Sequence, residues 1–342
     1  MQREVTRRQK LLDKKGVVAE PGYARKLVWE YNRQQAKKGF MRLKEWDYYL
    51  VMGQGFAAAF TISDLSYIGL ASVSLLDLKK PQDRTKTFLT VLPLGRTGLS
   101  DKPEDGNVRY LRKGASITYE AREGERRIEC SLDDMDGEPF KASIALEDKP
   151  QDVMCIASTW KEKPTCFYLN QKVNCMRASG EITLGDRTFK LNKETDFGTL
   201  DWGRGIWTYD NTWYWGTCSA MAKGKPFGFN LGYGFSDRPH ASENMIFFDG
   251  KASKLEDVTF EISKGRSGFD YMSPWLVNSS DGRFKGVFTP VLDRKALISL
   301  AVIVSDQHQV FGKMSGKCVL DSGEEIEMKE LWCAIEHIRN KY

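Results

Sequence analysis

Asp201 and Arg204 stand three residues apart with Trp202 between them, inside the stretch DFGTLDWGRGIWTYDNTWYWG (196–216). Four of the chain's nine tryptophans fall in it: Trp202, Trp207, Trp213 and Trp215. A carboxyl enclosed by rings loses the water that stabilises its charge, so its pKa rises toward that of a general acid. Paired with the Arg204 guanidinium, the same carboxylate stays ionised and holds a turn. Both readings stay open for Asp201. Glu243 and Asn244 lead into MIFFDG, where a carboxylate beside an amide can orient a ligand hydroxyl or carbonyl; a solvent-facing loop is the alternative. The candidate catalytic residues are Asp201, Arg204 and Glu243. The candidate ligand-binding residues are Tyr48, Trp202, Trp207, Tyr209, Trp213, Trp215, Asn230, Tyr233 and Asn244.

Strands must position these groups. From Trp46 onward the chain is a series of short segments rich in Val, Ile, Thr and aromatics, punctuated by Gly, Pro, Asp and Asn. Such segments without intervening helices predict an all-β, antiparallel barrel or sandwich architecture. In TWYWGTCSA (212–220), Trp213, Trp215, Thr217 and Ser219 share a face, because strand side chains alternate. In PFGFNLGYGFS (226–236), Gly228, Gly232 and Gly234 leave one face nearly bare, while Asn230 sits among them. Bare glycine marks the close approach of a ligand or of packed side chains, here the tryptophans. In WDYY, alternation sends Asp47 and Tyr49 outward if Trp46 and Tyr48 point in.

Only one helix is expected, over 21–39. Pro21 suits its first position, Gly39 its stop, and Ala24, Leu27, Val28 and Tyr31 make an apolar stripe. It would pack on the body as a lid or brace. Gly53, Gly55 and Ala58 fit a GxGxxA pattern, but the text that follows reads as further strand, so no dinucleotide site is expected.

At 342 residues, 41% apolar and 28% charged, the composition is globular and the length suits about two domains. No run of eighteen apolar residues occurs, and the basic N-terminus lacks the apolar core of an export signal. Seven cysteines without a CxxC pair suit a reduced, cytoplasmic setting. The three histidines form no HxH or HExxH pair, so neither a metal nor another cofactor is expected. Residues 1–44 hold 13 Lys+Arg against 4 Asp+Glu, a net of +9. That segment reads as a solvated basic face with, at most, weak contact to an anionic membrane surface; lacking interleaved aromatics, it gives no nucleic-acid site. Oligomeric state has no signature here.

The chain resembles the domain-of-unknown-function family numbered 2804. The resemblance rests on EWDYY (45–49), DLSYIGLASVSLLDL (64–78), DWGRGIWTYDNTWYWGTCS (201–219), SENMIFFDGKASKLEDVTFEI (242–262), FTPVLDR (288–294) and SDQHQVFGKMSG (305–316). More distantly it is similar to a tandem lipocalin-like (calycin-like) superfamily of carotenoid hydratases of the hydroxyneurosporene synthase type, tocopherol cyclases and Diels–Alder cyclases. Ser179-Gly180, Asp201-Trp202-Gly203, Trp213, Trp215, Gly312, Gly316 and Glu336 carry that likeness, although no histidine stands beside Asp201. The resemblance implies two lipocalin-like antiparallel β-barrels in tandem: a basic segment with its helix at 1–40, and barrels at 41–205 and 206–342. It also implies a pocket within or between them for an apolar, isoprenoid- or lipid-like molecule.

Three functions fit this reading. The first is binding of such a molecule. The second is cofactor-free hydration, isomerisation or cyclisation, with Asp201 or Glu243 as proton donor and aromatic faces stabilising carbocation charge. The third is binding or cleavage of glycans, which predicts exposed rings in an open groove.

Overall fold

The computed structural model describes residues 2–237, 239–266, 268–300 and 303–341. Two large sheets dominate. The first has 13 strands, and its main path runs Gln82–Val91, Ile68–Asp77, Phe56–Asp64, Leu43–Gly53, Phe197–Ile206, Lys163–Leu184, Glu138–Asp148, Gly124–Met135, Ala115–Arg122, Val108–Arg112. The second has 9, ordered Lys251–Lys254, Met245–Phe248, Lys225–Tyr233, Asp210–Ala222, Glu325–Lys341, Ile303–Val319, Phe284–Leu300, Trp275–Ser279, Val258–Glu261.

Each sheet curls until its far strands meet through side chains. In the first, Arg84 pairs with Glu138, Lys86 Nζ lies 2.6 Å from Asp134 Oδ2, and the Phe88 and Tyr110 rings stack at 5.7 Å. In the second, the Phe260 backbone N–H donates to the Tyr233 hydroxyl at 3.0 Å. The result is two lipocalin-like half-barrels in tandem, nearly all β. Each curls around an apolar core, the first of which also takes in Met245, Phe247 and Ala252 of the second sheet, and a third core lies between the sheets, where Tyr48, Leu50 and Met52 meet Trp215, Phe311 and Ala334.

Bulges interrupt three of the longest strands. They lie between Val173 and Met176, between Pro290 and Leu292, and opposite Met314–Gly316 around Glu330. Cys175 and Glu330 take the left-handed backbone region, at φ 62° and 48°. One extra residue reverses which face the following side chains take.

The expected N-terminal helix is absent: among the described residues there is no α-helix. Gly22–Ala24 instead pairs with Met154–Trp160 as a strand, Trp29–Glu30 pairs with Gln9–Lys10, and Arg33–Arg42 forms 3₁₀ turns broken at Ala36 and Gly39. The stripe residues Ala24, Val28 and Tyr31 are buried, but outside any helix, Ala24 within a strand. Sheet edge and core outweigh helix propensity, which is worth only tenths of a kcal/mol per residue. Among the described residues no helix is long and apolar enough to cross a membrane. All seven cysteines are unpaired, and six of them are buried.

Candidate functional site

The strand Phe197–Ile206 lies between two neighbours in the first sheet, and all ten of its residues are buried. Alternation therefore gives it two buried faces. Trp202 and Arg204 point into the first half-barrel; Asp201 points toward the second sheet. Of the two readings left open for Asp201, the pairing with Arg204 does not occur. Arg204 Nη2 donates to Asp47 Oδ1 at 2.9 Å and to the Ser100 carbonyl at 2.7 Å, Nη1 donates to the Trp46 carbonyl at 2.7 Å, and the guanidinium lies 4.2 Å over the Trp202 ring. Asp47 and Tyr49, expected to face outward, are buried inside this half-barrel, because their strand is also central.

Between the sheets, Asp201 Oδ2 lies 2.8 Å from Lys172 Nζ, and Oδ1 accepts from Asn170 Nδ2 at 2.6 Å. The Lys172 ammonium sits 4.6 Å over the Trp215 ring. Trp215 Nε1 donates to Asn230 Oδ1 at 2.7 Å, and Asn230 Nδ2 donates to the Glu243 carbonyl at 2.8 Å. The Tyr168 hydroxyl donates to Glu243 Oε1 at 2.7 Å. The glycine face is thus covered by protein. A Cβ on Gly228 would lie 2.5 Å from the Cys218 carbonyl and 2.8 Å from Cys175 Sγ; on Gly232 it would strike the Glu243 carboxylate.

Beside Trp215 stands the carboxyl of Glu336. It accepts from Gln309 Nε2 and, at 3.4 Å, from Trp213 Nε1; the same Gln309 amide donates to the Tyr48 hydroxyl at 3.1 Å. Burial pushes the Glu336 carboxyl up to about 7, against the weaker pull of Arg294 and Lys172. An aromatic group adjoins it. Trp207 contacts Trp46, Trp160, Tyr168 and Trp213 at ring distances of 5.4–5.9 Å and stacks on Phe235 at 4.9 Å.

The fold therefore gathers Tyr48, Asp201, Trp207, Trp213, Trp215, Asn230 and Glu243 along one seam. It does not gather the remaining candidates. Trp202 and Arg204 lie inside the first half-barrel, and Tyr233 stacks on Tyr214 at 4.6 Å on the inner face of the second. Tyr209 is 44% exposed. Asn244 is a staple: its Oδ1 accepts from the Gly232 N–H and its Nδ2 donates to the Glu256 carbonyl, each at 2.8 Å. Lys172, Asn170, Tyr168 and Gln309 were not singled out by sequence, and Glu336 was marked only through the family likeness. Trp202, Trp207 and Trp215 are buried, so they do not form the exposed platform of the glycan reading. Among the described residues no group of three or more His, Cys, Asp or Glu is assembled as a metal site.

Two cavities flank this region. One of about 340 Å³ lies at the Met52, Ser219, Lys313 and Trp332 end of the seam. The other, about 460 Å³, lies against the N-terminal segment. Trp207, Trp213 and Trp215 line neither. At the seam's opposite end, Arg294 Nη1 donates to Ser74 Oγ at 2.6 Å, tying the two sheets. Beyond that tie, register and alternation carry the facing surfaces on to Leu89 and Val91 of the first sheet, 57% and 77% exposed, and Ile298 of the second, 45% exposed.

A family model described as a domain of unknown function (DUF2804) matches residues 2–342. No curated protein matches the chain in sequence. Among solved structures, kievitone hydratase from Nectria haematococca superposes with a TM-score of 0.53 at 10% identity, covering 87% of this chain and 88% of its own. CghA, solved with Sch210972, superposes at 0.51 and 9% identity with the same coverage of 87% and 88%. These likenesses establish the fold.

Proposed function

The chain belongs to the DUF2804 family, and on that premise we propose that it binds an apolar small molecule at the seam between two half-barrels, dividing near residue 206, and transfers a proton to it from Glu336. The observation that carries this reading is the Glu336 carboxyl. It is buried beside Trp213 and Trp215, makes no ion pair among the described residues, and holds its proton to about pH 7. A general acid works best with its pKa near the working pH. Asp201 is spent on Lys172, and Glu243 accepts from Tyr168.

The chemistry would need no cofactor. Glu336 protonates a carbon–carbon double bond or a carbonyl, and the indole faces stabilise the developing cation. The carboxylate then recovers a proton: from water adding to the cation, which is hydration, or from a neighbouring carbon, which is isomerisation or cyclisation. Gln309 bonds both Glu336 and Tyr48 and so fixes the acid's orientation. The hydratase name of one structural relative and the small molecule bound in the other are compatible with this reading.

Native mass spectrometry of the purified protein tests it first, by looking for a co-purifying apolar molecule. Single-turnover assays on that molecule then compare the wild type with Glu336→Gln. A ligand that binds both proteins equally and is never transformed would leave the second reading, a carrier, in which Asp201, held by Lys172 at 2.8 Å, has no chemical role.

A further inference from the structure

We propose that the cleft between the N-terminal segment, the Arg33–Arg42 turns and the end of the Phe197–Ile206 strand binds an amphipathic anion, a phosphate-type head group carrying a short apolar tail. The cleft has a volume of about 460 Å³, within the range of small-molecule sites. Five cationic side chains line it: Lys10, Lys14, Lys15, Arg42 and Lys163. None of them is in an ion pair with a described carboxylate.

The one acid in the lining, Asp13, is already committed. Its Oδ1 accepts from the backbone N–H groups of Lys15 at 2.8 Å and Val17 at 3.0 Å, closing a turn. Its carboxylate therefore serves chiefly the loop, whose Val17 N–H most lowers its pKa, with the nearby Lys15 charge helping, and makes no ion pair with the five cations. Like charges gathered around a concave surface repel one another, and a bound anion relieves that repulsion. The opposite wall is apolar, made by buried Leu12, Ala36 and Ile206. A bare phosphate would leave that wall wet; a short hydrocarbon tail would cover it.

A second observation points to the same ligand. Arg42 Nε donates to the Trp207 carbonyl at 3.0 Å, which fixes the guanidinium at the cleft, yet its Nη2 is buried without a partner. A buried guanidinium donor is rarely left unmade, and an anionic oxygen is the acceptor that suits it. The site lies apart from Glu336 and does not rest on the proton-transfer reading.

The test titrates the full-length protein with inorganic phosphate, with monomeric dodecyl phosphate, and with phosphatidylcholine vesicles containing phosphatidic acid, following tryptophan fluorescence and heat of binding. Dodecyl phosphate is expected to bind at least about tenfold tighter than inorganic phosphate, because its tail removes apolar surface from water. Arg42→Gln and the exposed Lys163→Gln are each expected to weaken it about tenfold, Lys163→Gln with an unchanged thermal melt. Vesicle binding that is lost in Lys163→Gln and displaced by dodecyl phosphate identifies a lipid as the source of the head group. Equal affinity for the two phosphates overturns the proposal, as does vesicle adsorption that Lys163→Gln leaves intact, since a diffuse basic surface would then suffice.

Discussion

Asp201 and Arg204 are three residues apart, yet they leave opposite faces of one strand. Asp201 meets Lys172 at 2.8 Å between the sheets, and Arg204 meets Asp47 at 2.9 Å inside the first half-barrel. The inner pair is fully buried and the outer pair largely so, and they serve different ends. The inner pair ties strands to the Ser100 loop, and the outer pair borders the candidate acid.

Replacing Arg204 with Met should destabilise the protein by about 3–5 kcal/mol, because Asp47 is left buried and uncompensated. Urea unfolding measures this. Arg204→Met combined with Asp47→Leu should recover part of the loss, since the charge is then removed from both sides. A single-variant loss below about 1 kcal/mol would show that the pair does not support the fold.

If Glu336 is the acid, Glu336→Gln should lower single-turnover rates about 10²–10⁴-fold. Asp201→Asn should have a much smaller effect on the chemical step, and its main cost should be stability, through Lys172 left without its carboxylate. Equal loss of rate in the two variants would contradict the assignment of the proton to Glu336.

The raised pKa of Glu336 has a definite sign in stability. A carboxyl at about 7 in the folded state and 4.5 otherwise binds more protons folded than unfolded across that window. Stability is therefore lost as pH rises from about 4.5 to about 7. Glu336→Gln should match the wild type near the bottom of this window and exceed it above the top, by up to about 3 kcal/mol. The comparison must be variant against wild type. Lys44 and Lys254, each lowered by burial to about 7, weaken the fold as pH falls from 10.5 toward 7. His337, lowered to about 4, does so at lower pH still. Denaturant midpoints of both proteins across pH check it; parallel curves would mean that Glu336 titrates normally.

Gly228→Ala should cost about 1–3 kcal/mol. The new methyl would meet the Cys218 carbonyl at 2.5 Å and Cys175 Sγ at 2.8 Å, and the carbonyl belongs to a paired strand that cannot withdraw. Thermal melts read the effect. An unchanged melting temperature would mean that the sheets are less closely packed at this point than the structure has them.

Much of the architecture was legible before any coordinates. Short alternating segments identify antiparallel sheets, and EWDYY with the Trp-rich stretch marks the family. The failures have specific causes. Ala24, Val28 and Tyr31 have helical spacing and are indeed buried, but the edge of the Met154–Trp160 strand binds Gly22–Ala24 more strongly than a short helix can form. Asp47 was placed outside because alternation divides a strand into an inside and an outside. Leu43–Gly53 has two insides, one facing each core.

Residue order alone carried the strand content, the bare face of Gly228 and Gly232, and the aromatic density around Trp207, since these follow from side-chain period and local composition. It did not carry which carboxyl would be left without a cation. In Glu325–Lys341, Ile326 and Met328 face the second core, and so, after the bulge at Glu330, do Cys333 and Ile335. That change of parity turns Glu336 toward Trp213 and Gln309. The bulge after Val173 turns Lys172 and Met176 to opposite sides, and the one after Pro290 brings Arg294 across to Ser74. A bulge costs one residue and leaves hardly a trace in composition, but it reverses every side chain beyond it; which groups meet at the seam was therefore decided by strand pairing in three dimensions.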